Sequence, residues 1–145
     1  MIWEYDEWLE KALEIAIEAH KGQFDKSGKD YILHPLYLMV RCKDGKQRIV
    51  AVLHDVVEDS NYTLEDIKNL GFDIEIIEAL DCLTHKKGED YFEYIKRVKT
   101  NELATYVKCL DLAHNGDISR LKTITEKDVK RVEKYAKALQ MLRDI

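Results

Sequence analysis

Residues 54–59 read HDVVED: His54, Asp55, Val56, Val57, Glu58, Asp59. Extended back to Ile49 the stretch becomes IVAVLHDVVED, and its pattern decides the fold class. On a wheel at about 100° per residue, Ile49, Val50, Val52, Leu53, Val56 and Val57 share one arc. His54, Asp55, Glu58 and Asp59 share the opposite arc, with Ala51 among them. The spacing predicts a single amphipathic helix over residues 47–59. Two readings of its polar arc stand side by side: a solvated rim, or half of a metal site. The arc holds no lysine or arginine, and its acids crowd the end of the predicted helix. There the helix dipole disfavours each by ~0.3–1 kcal/mol. A nearby cation would remove that conflict.

Outward from this segment the chain reads as helix after helix. The first is expected from Glu4 to Lys21, carrying Trp8, Leu9, Ala12, Leu13, Ala16 and Ala19 at helical spacing. Residues 22–32, GQFDKSGKDYI, form a glycine- and lysine-bearing loop. Pro35 suits the first turn of a short helix, PLYLMVRC. Thr63 to Asp66 and Thr125 to Asp128 have the S/T-x-x-D/E form that starts helices, and Gly71 ends the first of them. Helices over 73–83 and 90–99, and one from Asn101 through Leu121, complete the prediction. The expected fold is all-α, a compact bundle of about eight helices.

Two residues far from HDVVED could complete a metal site. Asp111, in VKCLDLAHN, falls at the edge of the apolar stripe formed by Leu103, Val107, Leu110, Ile118 and Leu121. An ionised carboxylate there is costly unless paired or metal-bound. Lys108 and Asn115 share its flank, so a lysine pair is the competing explanation. His34 directly precedes Pro35, which favours extended backbone at that histidine. A ligand on a rigid junction and a hydrogen-bonded structural histidine both fit. His20 and His85 read as structural or exposed, His114 as a satisfied core histidine, and Lys86 and Lys87 as a solvated loop pair.

Composition sets the class. A chain of 145 residues is expected to form one domain, residues 1–145. A net charge of −5 gives no overall attraction to nucleic acid. Cys42, Cys82 and Cys109 are isolated and odd in number, which points to free thiols in a reducing compartment. The acidic, aromatic N-terminus is unlike a signal peptide, and the longest aliphatic run, IVAVL, is far short of the ~20 residues of a membrane span. A cytoplasmic protein without a membrane segment is expected.

The segments AHKGQFDKSGKDYILHP, LHDVVED and VKCLDLAHN, in this order, resemble the HD-domain phosphohydrolases. The likeness is to the RelA/SpoT hydrolase domain and the small alarmone hydrolases, and it covers roughly Ala19 to Leu121. It implies an all-helical fold around one divalent ion, usually Mn²⁺. The implied ligands are His34, His54, Asp55 and Asp111. Glu58 and Asp59 are implied to orient or deprotonate the attacking water. Lys26, Ser27 and Asn115 are implied to contact the nucleotide, and Lys108 is placed for a phosphate. The implied reaction removes the 3′-pyrophosphate of ppGpp, an activity of the stringent response, without the synthetase activity of the longer enzymes. Asp25 departs from the family pattern, which has arginine there to pack on guanine. A phosphohydrolase for another nucleotide, or a nucleotide-binding module without turnover, therefore remain as alternatives.

Overall fold

The structure is a computed structural model that describes residues 6–119 and 121–144. Among these there are nine α-helices and no strand beyond one isolated antiparallel bridge, Phe24 to Asp30. The helices are α1 (Glu7–Ala19), α2 (Leu33–Val40), α3 (Gly45–Leu53), α4 (Val56–Asp59) and α5 (Leu64–Asn69). They continue with α6 (Ile74–Leu83), α7 (Tyr91–Lys99), α8 (Glu102–Asn115) and α9 (Glu126–Arg143).

The starts follow from side-chain chemistry. Asp6 caps α1 by accepting from the N–H groups of Trp8 and Leu9; the predicted start at Glu4 lies outside the described residues. Thr63 with Asp66 and Thr125 with Asp128 form reciprocal capping boxes, as their spacing predicts. A third box, Asp44 with Gln47, starts α3 two residues before the predicted Gln47.

Helix α3 is the central element. Ile49, Val50, Ala51, Val52 and Leu53 are all buried, and the helix packs against α1, α2, α6 and α8. Full burial of such side chains is worth about 1.5–3 kcal/mol each. The apolar arc therefore fixes this segment at the middle of the molecule. Helices α7, α8 and α9 pack on one another and close the other side.

Three boundaries differ from the prediction. The helix expected over 47–59 is divided: α3 ends at Leu53, and α4 begins at Val56 after Asp55, whose φ is −103° and ψ −2°. Glu58 and Asp59 thus lie in a separate single turn, so the dipole conflict of one long helix does not arise. His34 is the second residue of α2, not an extended junction; its N–H donates to Tyr31 O at 3.0 Å. The bonds of the first helical turn outweigh the preference imposed by Pro35. Helix α8 stops at Asn115: Gly116 N–H makes the last helical bond, to Leu112 O at 2.8 Å, and Asp117 N–H turns tighter, to His114 O at 3.2 Å.

Candidate active site

The break between α3 and α4 is where the site forms. Asp55 points toward the imidazole of His54, with His54 Nε2 2.9 Å from Asp55 Oδ2. From α8, Asp111 places Oδ1 3.3 Å from the same nitrogen and 2.8 Å from His34 Nε2. One ligand atom from each of His34, His54, Asp55 and Asp111 lies within 4.8 Å of the others. His34, His54 and Asp111 are each no more than 5% exposed. All four predicted ligands are thus brought together at the core boundary.

The donor set was tested against a divalent ion by its hydrogen bonds. His54 Nδ1 sits 2.6 Å from Ala51 O, a group that can only accept. That network assigns the proton to Nδ1 and leaves the Nε2 lone pair facing two carboxylates. Although close to both, buried His54 Nε2 makes no hydrogen bond. A lone pair facing two negative oxygens is repulsive unless a cation lies between them or a proton is taken up. Without an ion the ring takes the proton: burial opposes its charge, but Asp55 and Asp111 raise the His54 pKa well above the ordinary value. Two imidazoles and two carboxylates form a mixed nitrogen and oxygen set that fits a divalent ion such as Mn²⁺.

The supporting contacts orient each member. His34 Nδ1 lies 2.6 Å from His114 Nδ1 with the two rings within 8° of parallel. A nitrogen separation that short is an in-plane hydrogen bond, not a face stack. It leaves His34 Nε2 for the centre of the site. Tyr37 stacks on His114 at 3.8 Å, and the Arg41 guanidinium covers Tyr37 at 3.3 Å. The Tyr31 hydroxyl donates to Asp55 Oδ2. Asp111 accepts from Lys108 Nζ at 2.9 Å and Asn115 Nδ2 at 3.0 Å. Burial resists ionisation of Asp111, but Lys108, His34 and His54 hold its pKa well below the carboxylate range. The same ion pair holds Lys108 charged against its own burial.

Glu58 and Asp59 sit at the solvent side of this cluster. Glu58 Oε1 accepts from the backbone N–H of His85, on the loop after α6. Asp59 O accepts from Gln23 Nε2 at 2.7 Å. Burial raises both pKa values, and the Asp55 charge adds to the effect. Such carboxylates are better proton acceptors than free ones.

Of the predicted nucleotide contacts, Lys26, Ser27 and Asn115 line one cavity of about 290 Å³ with Phe24, Tyr31, Arg131 and Tyr135. Lys108 is held against Asp111 instead of lining it. Asp25 is committed to the loop itself: its Oδ1 accepts from Ser27 N at 2.8 Å, Ser27 Oγ at 2.7 Å and Lys29 N at 3.0 Å. Gly28, at φ +84°, supplies the left-handed turn that lets Gly28 N–H reach Asp25 O.

The other histidines fall within their expected classes. His20 is 2% exposed and bonded to Gln23 Oε1 at 2.9 Å, so it is buried beside the clamp on Asp59. His85 is exposed, and its importance lies in its backbone N–H. His114 is buried as predicted, and its partner is His34. Lys86 and Lys87 are exposed, as a loop pair should be. Sequence reasoning missed Tyr31, Gln23, Arg131 and Tyr135. A signal existed for the last two, an i, i+4 pair on an amphipathic helix, but not for which cavity it meets.

No family model matches the chain. Curated relatives do. It is 45% identical over 78 residues to a guanosine-3′,5′-bis(diphosphate) 3′-pyrophosphohydrolase of Borreliella burgdorferi, covering 51% of this chain and 12% of the relative. It is 36% identical over 114 residues to the Spiroplasma citri protein of that name, covering 76% and 14%. The Haemophilus influenzae protein of that name is 39% identical over 115 residues, covering 70% and 17%. The chain therefore spans 12–17% of the length of these relatives. The fold matches the solved structure of a metazoan SpoT ortholog that hydrolyses ppGpp, with a TM-score of 0.81 at 21% identity, covering 98% of this chain and 89% of that one. The chain is thus similar in sequence to a short part of these pyrophosphohydrolases and shares the fold of that ortholog.

Proposed function

We propose that this chain is a single-domain, divalent-metal-dependent phosphohydrolase that releases pyrophosphate from the 3′ position of (p)ppGpp or a closely related nucleotide. One observation carries the reading: the unbonded, buried His54 Nε2 aimed at Asp55 and Asp111, with His34 completing the donor set. The names of the curated relatives support the substrate class. A bound divalent ion, with Mn²⁺ the first choice, supplies charge for phosphoryl oxygens and lowers the pKa of water.

The chain's own residues divide the remaining work. His34, His54, Asp55 and Asp111 hold the ion. Glu58 and Asp59 orient the attacking water and accept its proton, a task suited to carboxylates whose pKa is raised. Lys108 keeps Asp111 ionised and adds positive charge for a phosphate. Lys26, Ser27 and Asn115 contact the nucleotide from the cavity. Arg131 lines that same cavity, so the guanidinium lacking at Asp25 is supplied from α9. A cytoplasmic setting belongs to the same proposal and rests on the three free cysteines.

The purified chain with Mn²⁺ is expected to convert ppGpp to GDP and pyrophosphate. Release of no pyrophosphate would end the assignment. A second reading, a phosphohydrolase for another nucleotide, is favoured by Asp25 and would show as orthophosphate released from a 5′-monophosphate in the same panel.

A further inference from the structure

The Thr84–His85 peptide group, on the loop after α6, is bonded at both edges. Thr84 O accepts from Arg97 Nη2 at 2.8 Å, and the His85 N–H donates to Glu58 Oε1. A trans peptide is planar, with its C=O and N–H pointing in opposite directions, and none of the described peptide bonds is cis. The Arg97 guanidinium and the Glu58 carboxylate therefore sit on opposite edges of one rigid plate.

We propose that Arg97 is a positioning residue for Glu58: it sets the Thr84–His85 peptide so that the His85 N–H holds the carboxylate where it handles the water. The inference rests on the phosphohydrolase reading above and adds a residue of α7 that lies outside the three motif segments.

Arg97 is committed to this end of the molecule. Besides Thr84 O, it donates from Nη1 to Asp81 O at 2.8 Å. Its Nε and Nη2 donate to the two oxygens of Glu89, each at 2.9 Å. The two-pronged pair with Glu89 fixes the plane of the guanidinium, and a cation suits the carbonyl end of α6. The side chains of Arg97 and Glu89 are 25% and 19% exposed, unlike the solvated pair Lys96 and Glu93 at 64% and 63%. Tyr94 steadies the same stretch: its hydroxyl donates to Leu83 O at 2.6 Å, and its ring stacks on His85 at 4.7 Å. Of these two α7 side chains, Arg97 is the one bonded to the peptide that Glu58 uses.

Glu58 needs such a hold. It lies in α4, a single turn of four residues, and so short a helix is not stable by itself. A carboxylate that orients water must be well placed, since a shift of about 1 Å can cost about a hundredfold in rate. A cation on Thr84 O also polarises the peptide and strengthens its N–H as a donor.

The test is a double-mutant cycle on the full chain loaded with Mn²⁺, with Arg97→Gln, Glu58→Ala and the two combined. Arg97→Gln is expected to lower kcat for ppGpp about ten- to a hundredfold, with KM changed less than about twofold. On the Glu58→Ala background the same substitution should change kcat less than about twofold, because nothing is left to position. Amide exchange at His85, followed on the metal-free proteins, should speed up in both single variants. Arg97→Lys keeps the charge without the fork, should lose kcat in the same way, and carries the test if Arg97→Gln does not fold. An unchanged kcat in a folded Arg97 variant overturns the proposal. So does an equal loss on the two backgrounds, since Arg97 then acts elsewhere. A raised KM at constant kcat overturns it too, because the loop then serves nucleotide binding, as does unchanged exchange at His85 in the Arg97 variant. The two readings fail separately. Turnover of ppGpp with an additive cycle sinks only the Arg97 role. Turnover of a 5′-monophosphate in place of ppGpp sinks only the nucleotide assignment, and the cycle is then read on that nucleotide. If no nucleotide is turned over, both fall.

Discussion

His34, His54, Asp55 and Asp111 reach their cluster from three separate parts of the chain, and the bonds from His34 to His114 and Asp111 and from Tyr31 to Asp55 cross from one part to another. The loops above the cluster are built differently. Residues 22–30 close on themselves through Asp25, Ser27 and Lys29. Residues 84–89 are fastened by Arg97, which bonds Thr84 O at 2.8 Å and Glu89 Oε2 at 2.9 Å. A floor made of long-range contacts fails as a unit when one member is lost. A rim made of short-range contacts can change one residue at a time. Under the proposed function, that contrast assigns the chemistry to the floor and selectivity to the rim.

The floor should break hardest. Asp111→Asn removes a ligand charge and leaves Lys108 buried without its partner, which costs about 3–5 kcal/mol. Metal analysis of the purified variant should find no retained ion, and thermal unfolding a large drop. Unchanged metal content would remove Asp111 from the ligand set. Next is Glu58→Gln, at the boundary of floor and rim. It should keep the ion while the rate falls about 10²–10⁴-fold. A variant with full rate would show that Glu58 does not handle the proton.

The rim variants should be milder. Asp25→Ala deletes the acceptor of three bonds that lie within the loop. Amide exchange at residues 26–29 should speed up and KM for the nucleotide rise, with kcat and the unfolding midpoint nearly unchanged. A global loss of stability would mean that the loop is not autonomous. The smallest effect is on Glu89. Its carboxyl is lowered to about 2 by Arg97 from an ordinary value of 4.5. A depressed pKa adds stability above about 4.5, and that stability fades as the pH falls toward 2. Glu89→Gln should therefore lower the melting temperature slightly at neutral pH and flatten its fall across that acid window. Parallel melting curves for the two proteins would exclude the clamp.

Much of the floor was legible in the sequence because its residues carry contradictory costs. Asp111 on a buried stripe and four polar groups around two valines are expensive unless something pairs them. The caps at Thr63 and Thr125 were legible for a local reason, since both halves of each box lie within four residues. The break at His54 and Asp55 was not. The apolar arc continues through Val56 and Val57 in helical register, and no residue there marks a break. Arg131 and Tyr135 escaped notice because an i, i+4 pair on an amphipathic helix reads alike in the sequence whether it meets a cavity or water. His114 was placed correctly in the core, yet its role depends on a partner 80 positions away.

The separation of the ligands has a thermodynamic consequence. His34 and Asp111 lie 77 positions apart, so the unfolded chain presents no such cluster. An ion held by the folded chain alone adds to its stability by mass action, about 2.7 kcal/mol when free metal is a hundredfold above Kd. If the proposed metal role holds, the abundance of the folded protein follows the free concentration of the ion, and scarcity of that ion removes part of what keeps the chain folded.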